Sequence, residues 1–138
     1  MDRKVKLSLV LEGFDFIDDN TDVYLDLENQ TTVCNYLYED AEEDEEFEIK
    51  DTYIKLPTRY EMNEYKWLQE FADSYPDNKI SIGLQVAIIG QGAFQRFNVA
   101  IKAYQIAPEW YNFKKKKRIE AAKTWCLENN IELINDIE

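Results

Sequence analysis

From Met62 to Cys126 apolar side chains return every three or four residues, an interval that fits α-helices and no other regular structure. The helix boundaries are signalled locally. Thr58 and Glu61 stand three apart, the spacing at which each side chain accepts from the other's backbone N–H. The helix behind them is expected to place Met62, Tyr65, Leu68, Phe71, Ala72 and Tyr75 on one face and to end at Pro76. Asp77 or Asn78 caps a second helix, with Ile80, Leu84, Ala87 and Ile88 inward and Gly90 as its stop. Phe94, Phe97, Ile101 and Tyr104 make the stripe of a third. Pro108 opens a fourth, where its missing N–H has no partner to lose, and this helix runs through Ile119, Ala122 and Cys126 to Asn129 and Asn130.

The first 57 residues follow another pattern. Leu7, Val10, Leu11, Phe14 and Ile17 fit a helix, while Val5, Leu7, Leu9 and Leu11 also fit the alternation of a strand, and Gly13 weakens the helical reading. Asp22–Leu27 and Thr31–Leu37 flank the polar turn Glu28-Asn29-Gln30 and read as a β-hairpin. Tyr53, Ile54 and Leu56 suggest a third strand ending at Pro57. The expected fold class is therefore α+β: a short N-terminal helix, a small antiparallel sheet of two to three strands, then a bundle of four helices. A chain of 138 residues supports one such domain. Its acidic helix and hairpin part would span 1–57, with a loop at 39–50, and its helical part 58–131.

Charge is unevenly placed. The net charge is −12; residues 1–60 hold 6 basic and 17 acidic side chains, and residues 61–138 hold 10 and 11. Eight of the ten residues at 39–48 are acidic, without the glycine or the alternation by which calcium loops converge on an ion, so the segment reads as a solvated loop. Residues 96–123 reverse the sign, with eight basic residues against Glu109 and Glu120.

Several function classes fall away. The chain has no histidine, which removes histidine-based triads, general bases and zinc motifs. Cys34 and Cys126 lie far apart without CxxC spacing and read as two thiols of a reducing cytosol. Arg3, Lys4 and Lys6 precede an apolar run, but Ser8 interrupts it and Glu12 stops it, so the run does not read as a signal peptide; no segment approaches the roughly 20 apolar residues of a membrane span. A cytoplasmic protein without membrane association is expected. Only Glu12 and Glu70 lie in apolar stretches where burial could raise a carboxyl pKa, and no catalytic pair stands out. Neither cofactor nor metal is expected.

The binding candidates are Arg96, Lys102, Lys114, Lys115, Lys116, Lys117 and Arg118, with Trp110, Tyr111 and Phe113 beside them. Cations among aromatic rings can hold single-stranded nucleic acid through phosphates and stacked bases, although a sequence pI near 4.5 argues against it. Five consecutive helical residues also turn through about 500°, so the 114–118 cations circle the helix axis. Gly90-Gln91-Gly92 lacks the Gly-Lys-Ser/Thr end of a phosphate loop and follows a helix; it reads as a corner between two helices, at which Gly90→Val should lower stability. The favoured function is a non-enzymatic binding or regulatory module that meets another macromolecule, a protein among the candidates, through its acidic N-terminal half and a basic 96–118 surface. Nucleic-acid binding by the basic helix is the alternative, and a carboxylate-based enzyme comes third.

The stretch Ala87-Ile88-Ile89-Gly90-Gln91-Gly92-Ala93-Phe94-Gln95-Arg96-Phe97, with Leu56-Pro57, Glu64-Tyr65, Leu68, Phe71, Trp110-Tyr111-Asn112-Phe113, Ala122, Trp125 and Glu128-Asn129-Asn130-Ile131, resembles the bacterial family known as uncharacterised protein family 0158. The likeness covers roughly residues 54–131, and Leu7 to Phe16 and Tyr24-Leu25-Asp26-Leu27 look like that family's first helix and following strand. It favours helix over strand for the opening segment and implies a shared fold without an activity. The chain departs from the family pattern at Glu28-Asn29-Gln30-Thr31, where a Thr-Gly-Glu turn is usual, and at Gln91 and Asn98, where basic residues are expected. Anion binding through those two positions is therefore not implied for this chain.

Overall fold

The computed structural model describes residues 3–36 and 47–137, so residues 39–46 of the acidic loop lie outside the described residues. The fold is α+β, as the sequence patterns require, and its elements run β1 (Lys4–Lys6), α1 (Leu7–Phe14), β2 (Thr21–Asp26), β3 (Thr31–Tyr36), β4 (Tyr53–Lys55), α2 (Arg59–Met62), α3 (Glu64–Ser74), α4 (Asn78–Ala87), α5 (Ala93–Ala103), α6 (Ala107–Glu128) and β5 (Glu132–Ile134). Two compact units form: residues 1–62 with 118–138, and residues 63–117. Helix α6 contributes to both. Trp110 is buried in the second unit, whereas Ala122, Trp125 and Cys126 are buried in the first.

In the first unit β2 is the centre of an antiparallel sheet ordered β3-β2-β4. Alternation along β2 sends Val23 and Leu25 to the core face, where Leu25 stands beside Thr32 on β3 and Ile54 on β4. Leu7, Val10 and Phe14 of α1 join that core. Gly13 packs closely against this core: a Cβ there would come within 2.6 Å of Leu56 Cδ1 and 3.4 Å of Leu25 Cδ2. The glycine that weakens α1 as a helix is what lets α1 lie against the sheet. On the opposite face of the sheet Tyr24 is covered by Phe47, ring centroids 5.3 Å apart.

The opening segment resolves its ambiguity by using both patterns. Val5 lies in β1, which pairs in parallel with β5 (Val5 opposite Leu133), and the helix begins only at Leu7 and ends at Phe14, short of Ile17. This second sheet, drawn from the two ends of the chain, is an addition to the expected architecture. The start of α1 is capped from far along the chain: Asp136 accepts from the Ser8 N–H at 2.9 Å and from the Ser8 hydroxyl, and both bonds hold its carboxyl below the usual range.

The hairpin turn is organised by Asp26, which is only 3% exposed. Its carboxylate accepts from the Glu28 N–H at 3.0 Å and from the Asn29 side-chain amide at 2.7 Å. Burial opposes the charge, but the bonds from the Asn29 side chain and from the Asn29 and Glu28 backbone outweigh it, and the pKa is lowered. A lowered native pKa contributes stability at every pH above the unfolded carboxyl value of about 3.9, and that contribution is lost as pH falls through the native value. Asp26→Asn is therefore expected to lower stability by about 1–2 kcal/mol at neutral pH, because an amide NH2 would face the Asn29 donor. The difference from wild type should shrink towards pH 3, which urea unfolding at the two pH values measures.

The capping box forms as its spacing predicts: the Thr58 N–H donates to Glu61 Oε1 at 3.1 Å and the Glu61 N–H to Thr58 Oγ1 at 3.0 Å. The helix it starts is shorter than expected. Asn63 takes a left-handed conformation (φ 55°), ends α2 and restarts the chain as α3. The inward face shifts accordingly. Trp67 joins Leu68, Phe71 and Ala72 inside, while Tyr65 turns outward, its hydroxyl donating to the Ile88 carbonyl at 2.7 Å. Asp77 caps α4 by accepting from the Ile80 N–H at 3.2 Å. In α5 Phe97 and Ile101 are buried, Phe94 is half-buried and Tyr104 is 40% exposed, so the expected stripe narrows at both ends.

Between α4 and α5, Gly90 and Gly92 both take positive φ, 78° and 79°. At Gly90 nothing crowds a Cβ, so the loss expected for Gly90→Val arises from left-handed backbone alone, about 1–2 kcal/mol; Gly90→Asn, a residue that tolerates this conformation, should recover part of it in thermal melts.

Candidate functional site

The cations singled out in the sequence stand in different surroundings. Arg96 is engaged. Its Nε donates to the Ala87 carbonyl at 2.8 Å, and its two terminal nitrogens donate to the carbonyls of Gln91 and Ile89. The guanidinium thus closes the last turn of α4 and the glycine corner, and its nitrogens face backbone oxygens rather than an incoming anion. Lys117 reaches Glu70 at 2.7 Å and lies 5.5 Å from the Phe113 ring centre. That bond holds the Glu70 carboxyl below its usual range, opposite to the upward shift its apolar surroundings suggested. Arg118 pairs with Asp15 at 2.6 Å, next to the end of α1.

The remaining cations differ. Lys114 is half-buried, while Lys102, Lys115 and Lys116 are exposed. Trp110 is 5% exposed, its ring 4.7 Å from Phe97 and 5.4 Å from Phe71, both edge-on. A ring so enclosed has no face for a base, so its place among the binding candidates is corrected to the core. Tyr111, the next residue, is 55% exposed.

The first three turns of α6 instead line a groove. Glu109, Asn112, Phe113 and Lys116 occupy positions i, i+3, i+4 and i+7, hence one face of the helix. Phe71 and Ser74 from the end of α3, with Tyr75 and Pro76 beyond it, form the other wall around an open volume of about 350 Å3. The floor is aromatic: Phe71 stands 5.7 Å from Tyr75 and 5.4 Å from Phe113, centre to centre. Burial, with the carboxylates of Glu109 and Asp77 near, pushes the Tyr75 phenol upward, so it stays a neutral donor at physiological pH.

No family model, curated protein or solved structure matches the chain. The site must therefore be read from its own chemistry. Among the described residues no group of three or more cysteine, aspartate or glutamate side chains is placed to hold a metal, and no helix is long and apolar enough to cross a membrane. Both cysteines are free thiols; burial pushes Cys126 up to about 11 and raises Cys34 as well, so neither is an activated nucleophile.

Sequence reasoning passed over Tyr75, Pro76 and Asn112. The apolar period places Tyr75 on a helix face and Pro76 at a helix stop. Asn112 carries no charge and no apolar stripe to mark it. The available signal was the seven-residue interval from Glu109 to Lys116, on which acid, amide, ring and cation share one face.

Proposed function

We propose that the chain is a non-enzymatic binding module that engages a protein partner through the second unit. The observation that supports this reading is the division of charge between the units. Residues 1–62 with 118–138 carry 8 basic and 23 acidic side chains, net −15, whereas residues 63–117 carry 8 and 5, net +3. A unit of net positive charge in a strongly anionic chain attracts acidic partners at short range while the rest of the chain repels polyanions, which favours a protein surface over a nucleic-acid strand. Burial of Trp110 and the engagement of Arg96, Lys117 and Arg118 also leave few groups for phosphate and base contacts. A cytoplasmic setting, in keeping with two free thiols, belongs to the proposal. So does kinship with uncharacterised protein family 0158, which adds no activity.

The test is affinity capture from a cell lysate across a salt series, with wild type beside Lys102→Glu/Lys115→Glu. Both positions are exposed, so the variant should fold. The expected result is a protein partner released by raised salt and lost from the variant. Capture indifferent to salt and to the variant would sink the proposal. A gel shift with single- and double-stranded RNA and DNA that disappears in the variant would move the reading to nucleic acid.

A further inference from the structure

The polar groups along the groove differ from their neighbours in one respect. Lys117, Arg118 and Arg96 are tied to Glu70, Asp15 and backbone carbonyls, and the Ser74 hydroxyl donates to the Glu70 carbonyl at 2.7 Å. The side chains of Glu109, Asn112 and Lys116 hold no hydrogen bond or ion pair among the described residues. A carboxylate, an amide and an ammonium are thus left open in a row above an apolar trench.

Their spacing selects an occupant. Seven residues of helix separate Glu109 from Lys116 by about 10 Å along the axis. An extended or polyproline chain covers the same distance in about three residues. Asn112 sits between them, and its side chain offers both a donor and an acceptor to a passing main chain. The rings of Phe71, Tyr75 and Phe113 below it suit apolar side chains or proline. A nucleic-acid strand fits poorly, because it would bring phosphates against Glu109.

We propose that this groove docks a short extended segment of a partner protein in which a basic and an acidic residue lie three positions apart with apolar residues between them. The inference rests on the binding-module reading and specifies which partner feature the module recognises. The cation of the segment meets Glu109, its anion meets Lys116, its backbone meets Asn112 and its apolar residues fill the trench. Because a polyproline segment can lie in either direction, what the groove reads is the pairing of opposite charges rather than their order.

Three blocked tetrapeptides test this by NMR titration and calorimetry: Lys-Pro-Leu-Glu, Lys-Pro-Leu-Lys and Glu-Pro-Leu-Glu. Wild type should prefer the mixed peptide by about two- to fivefold over either like-charged one, the range an exposed ion pair supplies. Glu109→Lys should turn the preference to Glu-Pro-Leu-Glu, and Lys116→Glu to Lys-Pro-Leu-Lys. Asn112→Ala should weaken all three about threefold or more, the size of one lost hydrogen bond. All three positions are exposed, and near-UV circular dichroism checks that each variant keeps its fold. An unchanged order of preference in the charge variants overturns the proposal, as does the absence of any shift at Asn112 and Phe113 up to millimolar peptide. Either failure leaves the salt-sensitive capture lost with Lys102→Glu/Lys115→Glu standing, because those lysines lie outside the groove.

Discussion

Trp110→Ala should unfold residues 63–117 under conditions in which Tyr111→Ala leaves them intact. Trp110 is 5% exposed and meets Phe97, Phe71 and Phe113 at 4.7, 5.4 and 6.0 Å between ring centres. Removing an enclosed aromatic side chain of this size costs about 3–5 kcal/mol, through lost burial and the cavity left behind. The edge-to-face pairs with Phe97 and Phe71 add about 0.5–1.5 kcal/mol each beyond the area they bury. A small unit has little margin against such a loss, since whole domains are stable by only about 5–15 kcal/mol. Tyr111 is 55% exposed, and its truncation should stay within about 0.5 kcal/mol. Amide hydrogen exchange across α3 and α5 measures both. The comparison also separates two roles for the tryptophan. A ring held out for stacking would be lost without harm to the fold, so Trp110→Ala exchanging like wild type would return it to the binding candidates.

Why the tryptophan was misplaced shows how far a one-dimensional pattern reaches. Helix α6 has no single apolar stripe, because Trp110 and Phe113 serve one core and Ala122, Trp125 and Cys126 another. Averaged along its length, such a helix looks polar on all sides, and the aromatic residues beside the lysines read as surface. In α4 and α5, which each bury one face, Leu84, Ile88, Phe97 and Ile101 lie inside as their spacing predicts. Capping residues were equally legible, since Thr58, Glu61 and Asp77 satisfy donors within three positions of themselves. Contacts between distant parts of the chain left no such trace. Asp136 caps α1 from 128 residues away, and β1 pairs with β5 through three residues on each side, too few to show a period. The left-handed turn at Asn63 was hidden differently: asparagine tolerates both helix and turn, and the apolar period runs through it. The groove combines these cases. One wall, on α6, is periodic and readable; the other depends on where Pro76 sends the chain after α3.

Trp125→Ala is the second substitution with a large expected effect, and it acts on the other unit. The ring is 4% exposed, packed in the core that includes Leu25, Leu56 and Phe14, and its Nε1–H donates to the Lys55 carbonyl at 2.8 Å. Alanine removes the packing and orphans a carbonyl of β4, so a loss of about 3–5 kcal/mol is expected. Trp125→Phe separates the two contributions, because it keeps most of the apolar surface and deletes only the donor, for about 1 kcal/mol. Strand β4 has three residues, and its register on β2 is extended by the Leu56 N–H, which donates to the Val23 carbonyl at 2.8 Å. With Trp125→Phe, hydrogen exchange should quicken at Leu56 while the β2–β3 amides stay protected. With Trp125→Ala, protection should fall across β2 and β3 together, because the core face carrying Val23 and Leu25 loses its cover. Equal protection of β2 in wild type and Trp125→Ala would mean that the sheet is held by α1 alone, and that the indole contributes to β4 and no further.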